Sequence, residues 1–293
     1  MRPAKVERNR QQAATEDQAM NCLRKLEESR SPRARLLERA SAKREARVGC
    51  AKNIAAKTII LLHGSWTDAR SWHKVTPLLE AMGHTVIAID LPGRGRNPMP
   101  ARDVSLQACV GAVVKVIDAQ PGNVVLAGHS RAGVVLSQVA EVRPDRIDGL
   151  IYIAAFLLGD GQTVPEVAAR DTASLVAPHL IIDEAEGCDR IGEDALRAAL
   201  YADCSDADFE ESLGRFTPEP IAPFLTPLRL TEGNYGRIRR SYIELARDRA
   251  VTPALQAAMR RAEPCRQVIT IDAGHCAHLS APAALASAIH LLA

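Results

Sequence analysis

The chain has 293 residues, 47% of them apolar and 25% charged, with a formal net charge of +2, the balance of an ordinary globular protein of one large domain or two small ones. No apolar run reaches about 18 residues, which excludes a membrane-spanning helix, and the basic N-terminus lacks an apolar signal core, so a cytoplasmic location is expected rather than secretion. Seven cysteines (Cys22, Cys50, Cys109, Cys188, Cys204, Cys265 and Cys276) follow no paired spacing, which reads as free thiols in a reducing compartment and leaves no zinc-like cluster.

The small net charge hides an asymmetry. Residues 1–50 hold 13 Lys and Arg against 7 Asp and Glu, a net +6, which leaves −4 for the rest of the chain. Residues 1–56 are expected to form a basic extension, partly helical or disordered, with a thin apolar stripe of Leu23, Leu26, Leu36 and Leu37 between Ala19 and Arg47. An oligomerisation arm that pairs the chain as a homodimer, or a basic patch for an acidic partner, are the sharper alternatives. No aromatic residues interleave the basic ones, so nucleic acid is not an expected partner.

A regular domain is expected over residues 57–293. Lys57–Leu62 reads as a buried strand running into His63-Gly64-Ser65-Trp66. Ser71–Met82 has helical spacing in Trp72, Val75, Leu78, Leu79 and Met82, and Gly83 stops it. His84–Asp90 is the next strand, Val104–Ala119 the next helix, and Asn123–Ala127 another strand. Further strands follow at Leu150–Ala155, Ser241–Leu245 and Gln267–Ile271, with a closing helix from Pro282 to Leu292. Strands alternating with helices predict an α/β fold with a mostly parallel sheet covered on both faces. Between about 156 and 240 the alternation breaks into an acidic, proline-dotted stretch, the pattern of a helical cap inserted over the sheet.

The chemistry gathers at strand ends, where open α/β sheets place their sites. Gly128-His129-Ser130-Arg131-Ala132-Gly133 follows an apolar strand and opens a helical pattern. Strand, tight turn with a central serine, and helix is the context of a nucleophile elbow. A serine hydroxyl needs a base, and His275, directly after the strand-end Gly274, is the candidate over His278. The base needs a carboxylate to fix its tautomer, and Asp248 is preferred to Glu244, Asp272 and Asp90. The N–H groups of Ser65 and Arg131 are the expected oxyanion donors, each worth about 2.7–4 kcal/mol by analogy with a studied hydrolase. Gly64, Trp66 and His129 are the expected pocket residues, His129 also being placed to brace the elbow. His63 reads as a hydrogen-bonding brace, Trp72 as core, and Cys276 as packing. No metal or organic cofactor is implied.

These residues together resemble a known group. Leu61-Leu62-His63-Gly64-Ser65-Trp66, Trp72–Leu79, Gly83–Val86, Asp90-Leu91-Pro92-Gly93, Gly128-His129-Ser130 and the Asp248 and His275 segments look like an α/β-hydrolase. The similar branch holds plant methyl-ester esterases and hydroxynitrile lyases, with bacterial pyrethroid hydrolases and macrolide esterases. The resemblance covers about residues 57–293 and implies a serine esterase working through an acyl-enzyme on a fairly apolar small-molecule ester or lactone. Related cyanohydrin lyases carry a lysine directly after the catalytic histidine and a threonine in the first loop, where this chain has Cys276 and Gly64. Ester hydrolysis is therefore expected over lyase chemistry. A non-catalytic small-molecule receptor on the same scaffold is the alternative from another class.

Overall fold

A computed structural model describes residues 54–293. The expected N-terminal extension, its leucine stripe, Cys22 and Cys50 lie outside the described residues. The chain proceeds through β1 (Thr58–Leu62), α1 (Thr76–Ala81), β2 (Thr85–Ile89), α2 (Leu106–Asp118), β3 (Val124–His129), α3 (Ala132–Val142) and β4 (Ile147–Ile153). After an insertion, β8 (Arg240–Leu245), α8 (Pro253–Ala262), β9 (Gln267–Ile271), α9 (Ala277–Ser280) and α10 (Pro282–Leu292) complete the layers. The six strands of this main sheet lie in the order β2-β1-β3-β4-β8-β9, and every pairing is parallel.

The period-two pleat divides each central strand between two cores. Ile60, Leu62, Val124 and Leu126 face the cluster built with α2, α3 and α8. Ile59, Leu61, Val125 and Ala127 face the cluster with α1, Trp72 and α10. This double burial is why β1 and β3 read as continuous apolar runs. Helix α2 begins where Ser105 accepts the N–H of Ala108 as its N-cap.

The helix expected over Ser71–Met82 is interrupted. Ala69–Trp72 forms a single 3-10 turn, and α1 starts only at Thr76. Pro77 explains the break, because in a continuous helix its ring would press on the carbonyl of His73, whereas in the first turn it costs nothing. Helix α8 was not anticipated, although Thr252-Pro253 carries both an N-cap side chain and a first-turn proline.

The insertion between β4 and β8 contains helices α4 (Val164–Ala168), α5 (Glu193–Leu200), α6 (Asp206–Leu213) and α7 (Ala222–Leu225). It also carries strands β5 (Leu180–Asp183), β6 (Cys188–Ile191) and β7 (Glu219–Pro220), which form an antiparallel sheet in the order β5-β6-β7. That small sheet adds to the helices the sequence predicts. Its register sets Asp189 opposite Glu219.

Between β3 and α3 the chain turns at Ser130, whose φ of 58° lies in the left-handed region that side chains avoid. Such a conformation costs about 1–3 kcal/mol and persists only where the surroundings impose it. Here the N–H of Ser130 donates to Ile153 (3.2 Å), and the carbonyl of Ser130 accepts from Phe156 (3.0 Å). A Cβ on Gly133 would press into the carbonyl of Phe156, and one on Gly128 into Leu136. The close approach therefore falls on Gly128 and Gly133, while the Ala132 methyl is buried without needing such room. Gly133→Ala should lower the urea midpoint by the equivalent of about 1–3 kcal/mol through overpacking. Gly111→Ala, in open space on α2, should raise it by up to about 1 kcal/mol; equal effects of the two would refute this reading of the turn.

Candidate active site

The loops after β1, β3, β8 and β9 converge above the sheet. Ser130 Oγ lies 3.1 Å from His275 Nε2. His275 Nδ1 lies 2.7 Å from Asp248 Oδ2. All three residues are buried. The other carboxylate oxygen, Asp248 Oδ1, accepts the N–H groups of Ala250 (2.7 Å) and Val251 (3.0 Å). An ionised carboxylate only accepts, so this arrangement places the His275 proton on Nδ1 and leaves Nε2 to accept from the serine hydroxyl.

The alternatives for the acid sit elsewhere. Glu244 is paired with Arg260 (3.0 Å) and accepts from Thr270. The Asp272 side chain is 85% exposed and pairs with Arg247. Asp90 accepts from the backbone of Ala69 and Arg96.

Three further histidines pack under the site as neutral rings. His63 donates from Nδ1 to the Gly64 carbonyl (2.8 Å) and accepts the Leu91 N–H at Nε2 (3.2 Å). Burial lowers its pKa to about 4. His129 donates from Nε2 to the His275 carbonyl (3.0 Å), with its ring centroid 4.4 Å from that of His275. Burial, followed by the neighbouring His275 and His278, holds it well below the ordinary histidine range. His278 is buried, its ring 5.4 Å from that of Trp72, and burial lowers its pKa to about 3. Burial also pushes the Cys276 thiol well above its ordinary value, so that side chain stays protonated.

A cavity of about 600 Å³ opens over Ser130 and His275. Its walls include Phe156, Val164, Leu180, Phe224 and Leu255, with Ile182 and Leu225 at 56% and 53% exposure. Ser65, Trp66 and Arg131 face the same cavity. Gly64 and His129 do not. A Cβ on Gly64 would lie 2.7 Å from His129 Nδ1, so the glycine is what lets the His129 ring pack beneath the loop. The Arg131 guanidinium passes between Trp66 and Phe224, 5.2 and 4.9 Å from their ring centroids, and bonds Asp189 at 2.6 Å. Among the described residues no group of three or more His, Cys, Asp or Glu side chains could hold a metal ion.

Sequence reasoning missed the groups that hold these loops. Gln256 on α8 is fully buried, accepts the Leu245 N–H (3.1 Å) and donates to the Val251 carbonyl (2.7 Å), closing the loop that bears Asp248. Thr252-Pro253 upstream marks the start of that helix, with the Thr252 hydroxyl accepting the Leu255 N–H, but nothing in the pattern marks Gln256 itself. The insertion supplies three more ties. Asp171 accepts from the N–H and hydroxyl of Thr252 (2.9 and 2.6 Å). Asp203 accepts the Gly274 N–H next to His275 (2.6 Å). Glu219 accepts the Trp66 N–H (2.7 Å).

The buried neutral rings make the fold acid-sensitive. Unfolded, His63 and His278 take up a proton near 6.5; folded, they resist it down to about 4 and about 3. Below that unfolded value the unfolded chain binds more protons, so stability falls with falling pH, by up to about 1.4 kcal/mol per pH unit for each ring. Urea midpoints between about pH 7 and pH 4.5 should show this slope, and His278→Leu should reduce it by about one proton; an unchanged slope would exclude a neutral, buried His278.

The geometry has counterparts among known proteins. The model of the alpha/beta hydrolase family matches residues 59–288. A pyrethroid hydrolase from Sphingobium wenxiniae is 30% identical over 243 residues, covering 79% of this chain and 85% of that protein. Putative methylesterase 11, chloroplastic, of Arabidopsis thaliana is 29% identical over 238 residues, covering 77% of this chain; the match spans 61% of that relative's length. The crystal structure of a pyrethroid hydrolase from Sphingobium faniae superposes with a TM-score of 0.71 at 27% identity, covering 80% of this chain and 96% of that one. Polyneuridine aldehyde esterase shares the fold, with a TM-score of 0.72 at 22% identity, covering 80% of this chain and 98% of its own. With the family match running through nearly the whole described region, this chain belongs to the α/β hydrolase family.

Proposed function

We propose that this protein is a serine hydrolase that cleaves a carboxylic ester or lactone of a fairly apolar small molecule through an acyl-enzyme. Ester hydrolysis as the broad reaction is supported by the relatives, which are named methylesterases and a pyrethroid hydrolase. The observation that carries the finer reading is the hydrogen-bonded series Ser130–His275–Asp248 at the floor of a largely apolar cavity. Macrolide lactones and pyrethroid-type esters fit that class of pocket.

In this reading Ser130 Oγ attacks the substrate carbonyl carbon while its proton passes to His275 Nε2. Asp248 stabilises the resulting imidazolium through Nδ1–H and is not itself protonated. The negative charge on the carbonyl oxygen meets the N–H groups of Ser65 and Arg131. His275 then gives its proton to the departing alkoxide, leaving Ser130 acylated. A water, deprotonated by the same nitrogen, attacks the acyl carbon, and the proton returns to Ser130 as the acid leaves. In a lactone the alcohol and the acid remain in one opened product.

Ser130→Ala should lower turnover of p-nitrophenyl butyrate on the order of 10⁶-fold, and Asp248→Asn on the order of 10⁴-fold through the wrong histidine tautomer. Covalent labelling by a fluorophosphonate probe should disappear in Ser130→Ala. A folded wild type that neither labels nor turns over any ester in a panel that includes macrolides and pyrethroids would favour the receptor alternative. The apolar walls predict a chain-length preference. The butyrate ester carries two more methylenes than the acetate, each worth about 0.8 kcal/mol when buried, so its kcat/KM should be about tenfold higher; a preference for the acetate would contradict an apolar acyl site.

A further inference from the structure

Trp66 follows Ser65 in the loop after β1, and its backbone has a φ of 62°. This is a bulky residue in the left-handed region, so its surroundings must impose the conformation. The insertion bonds every polar group that Trp66 possesses. Its N–H donates to Glu219 Oε2 (2.7 Å), and its carbonyl accepts from Thr217 (3.3 Å). Its indole N–H donates to Asp189, at 2.9 Å to Oδ1 and 3.2 Å to the carbonyl oxygen. The Phe216 ring stacks on it at 6.3 Å.

The carboxylates that make these bonds are paired in turn. Asp189 and Glu219 face each other across the β6–β7 pairing, where two like charges would destabilise the sheet. Arg94, buried in the loop after β2, pairs with Glu219 and donates to the Thr217 carbonyl (3.0 Å), and Arg131 pairs with Asp189. Two cations and two anions thus close a buried, balanced network around Trp66.

We propose that Glu219 is a positioning residue for the oxyanion hole, acting through the Ser65–Trp66 peptide. The N–H that Glu219 accepts belongs to that peptide unit. That planar unit includes the Ser65 Cα, so holding it holds one end of the Gly64–Ser65 peptide, whose N–H is the Ser65 donor, against the place where negative charge develops. Released from Glu219, Trp66 relaxes from the left-handed region and carries the donor with it. The inserted segment, rather than the parallel sheet, then sets half of the hole. This rests on the serine-hydrolase reading above.

The test compares two double variants, of which only one keeps a side-chain acceptor within reach of the Trp66 N–H. Both Arg94→Met/Glu219→Gln and Arg94→Met/Glu219→Leu remove the buried charges together, an exchange that proteins often accept without loss of stability. Only the glutamine keeps a side-chain oxygen for the Trp66 N–H. An oxyanion donor acts in the transition state, so kcat on p-nitrophenyl butyrate should be about tenfold to a hundredfold lower in the leucine variant than in the glutamine variant, with KM equal. Equal kcat in the two folded variants, or a difference confined to KM, overturns the proposal. If the leucine variant does not fold, Glu219→Asp withdraws the acceptor by one methylene and keeps a charge for Arg94. The same loss of kcat at unchanged KM supports the proposal, and wild-type kcat overturns it. Wild type and Ser130→Ala are assayed beside them: wild-type turnover that survives Ser130→Ala overturns the hydrolase reading itself, and with it this inference.

Discussion

The fold turns on the backbone at Ser130. A left-handed serine between a strand and a helix is unfavourable alone, and it is held by packing that leaves no alternative. Gly128 and Gly133 let β3 and α3 come within reach of each other and of Phe156, and bonds to Ile153 and Phe156 fix the turn from the neighbouring strand end. That geometry lifts the hydroxyl to His275 and sets Arg131 at the N-cap of α3, where its N–H has no intrahelical acceptor. The strain is thus borne by the most buried part of the molecule, the two-sided core around β1 and β3.

The loops that bear Asp248 and His275 leave the sheet bonded to each other, Ala246 donating to Ile271 and Arg247 to Ala273 (each 3.0 Å), and side chains complete the support of the site's loops. Gln256 closes the Asp248 loop from within the main layers, while Asp171, Asp203 and Glu219 reach the acid, base and first loops from the insertion. Three carboxylates accept backbone N–H groups in buried or half-buried surroundings, where charge-assisted bonds are at their strongest. These struts are three of the sixteen Asp and Glu residues between positions 156 and 240, and composition alone does not single them out.

What could be read in advance follows from the range of the physics involved. The central strands were legible because burial on both faces writes itself as local apolar runs, and the half-exposed edge strand Gln267–Ile271 and the helix Pro282–Leu292 also stand where the β-branched and helical patterns put them. The elbow, the three polar strand ends and the family resemblance were legible for the same reason, each being carried by adjacent residues. Pro77 was misread because helical spacing on both sides outweighed a single breaker. The small sheet was missed because β7 is two residues long and β5 is mostly exposed, so neither shows a burial pattern. Gln256, Asp203 and Glu219 act across 11, 71 and 153 positions, and no local pattern encodes a bond over such a separation.

The insertion has two kinds of surface against the cavity. Residues from β6, β7 and the Asp203 turn are committed to the loops that bear Trp66, Arg131 and His275. Val164, Ala168, Leu180, Ile182 and Leu225 present apolar atoms to the cavity and make none of the side-chain bonds to those loops, although Val164, Ala168 and Leu180 also pack against the cores. A change among the second set alters the shape offered to a substrate while every strut stays in place. On the ester-hydrolase reading proposed above, the wall along α4, β5 and α7 can vary with the substrate, because the bonds to the loops below it are carried by other residues.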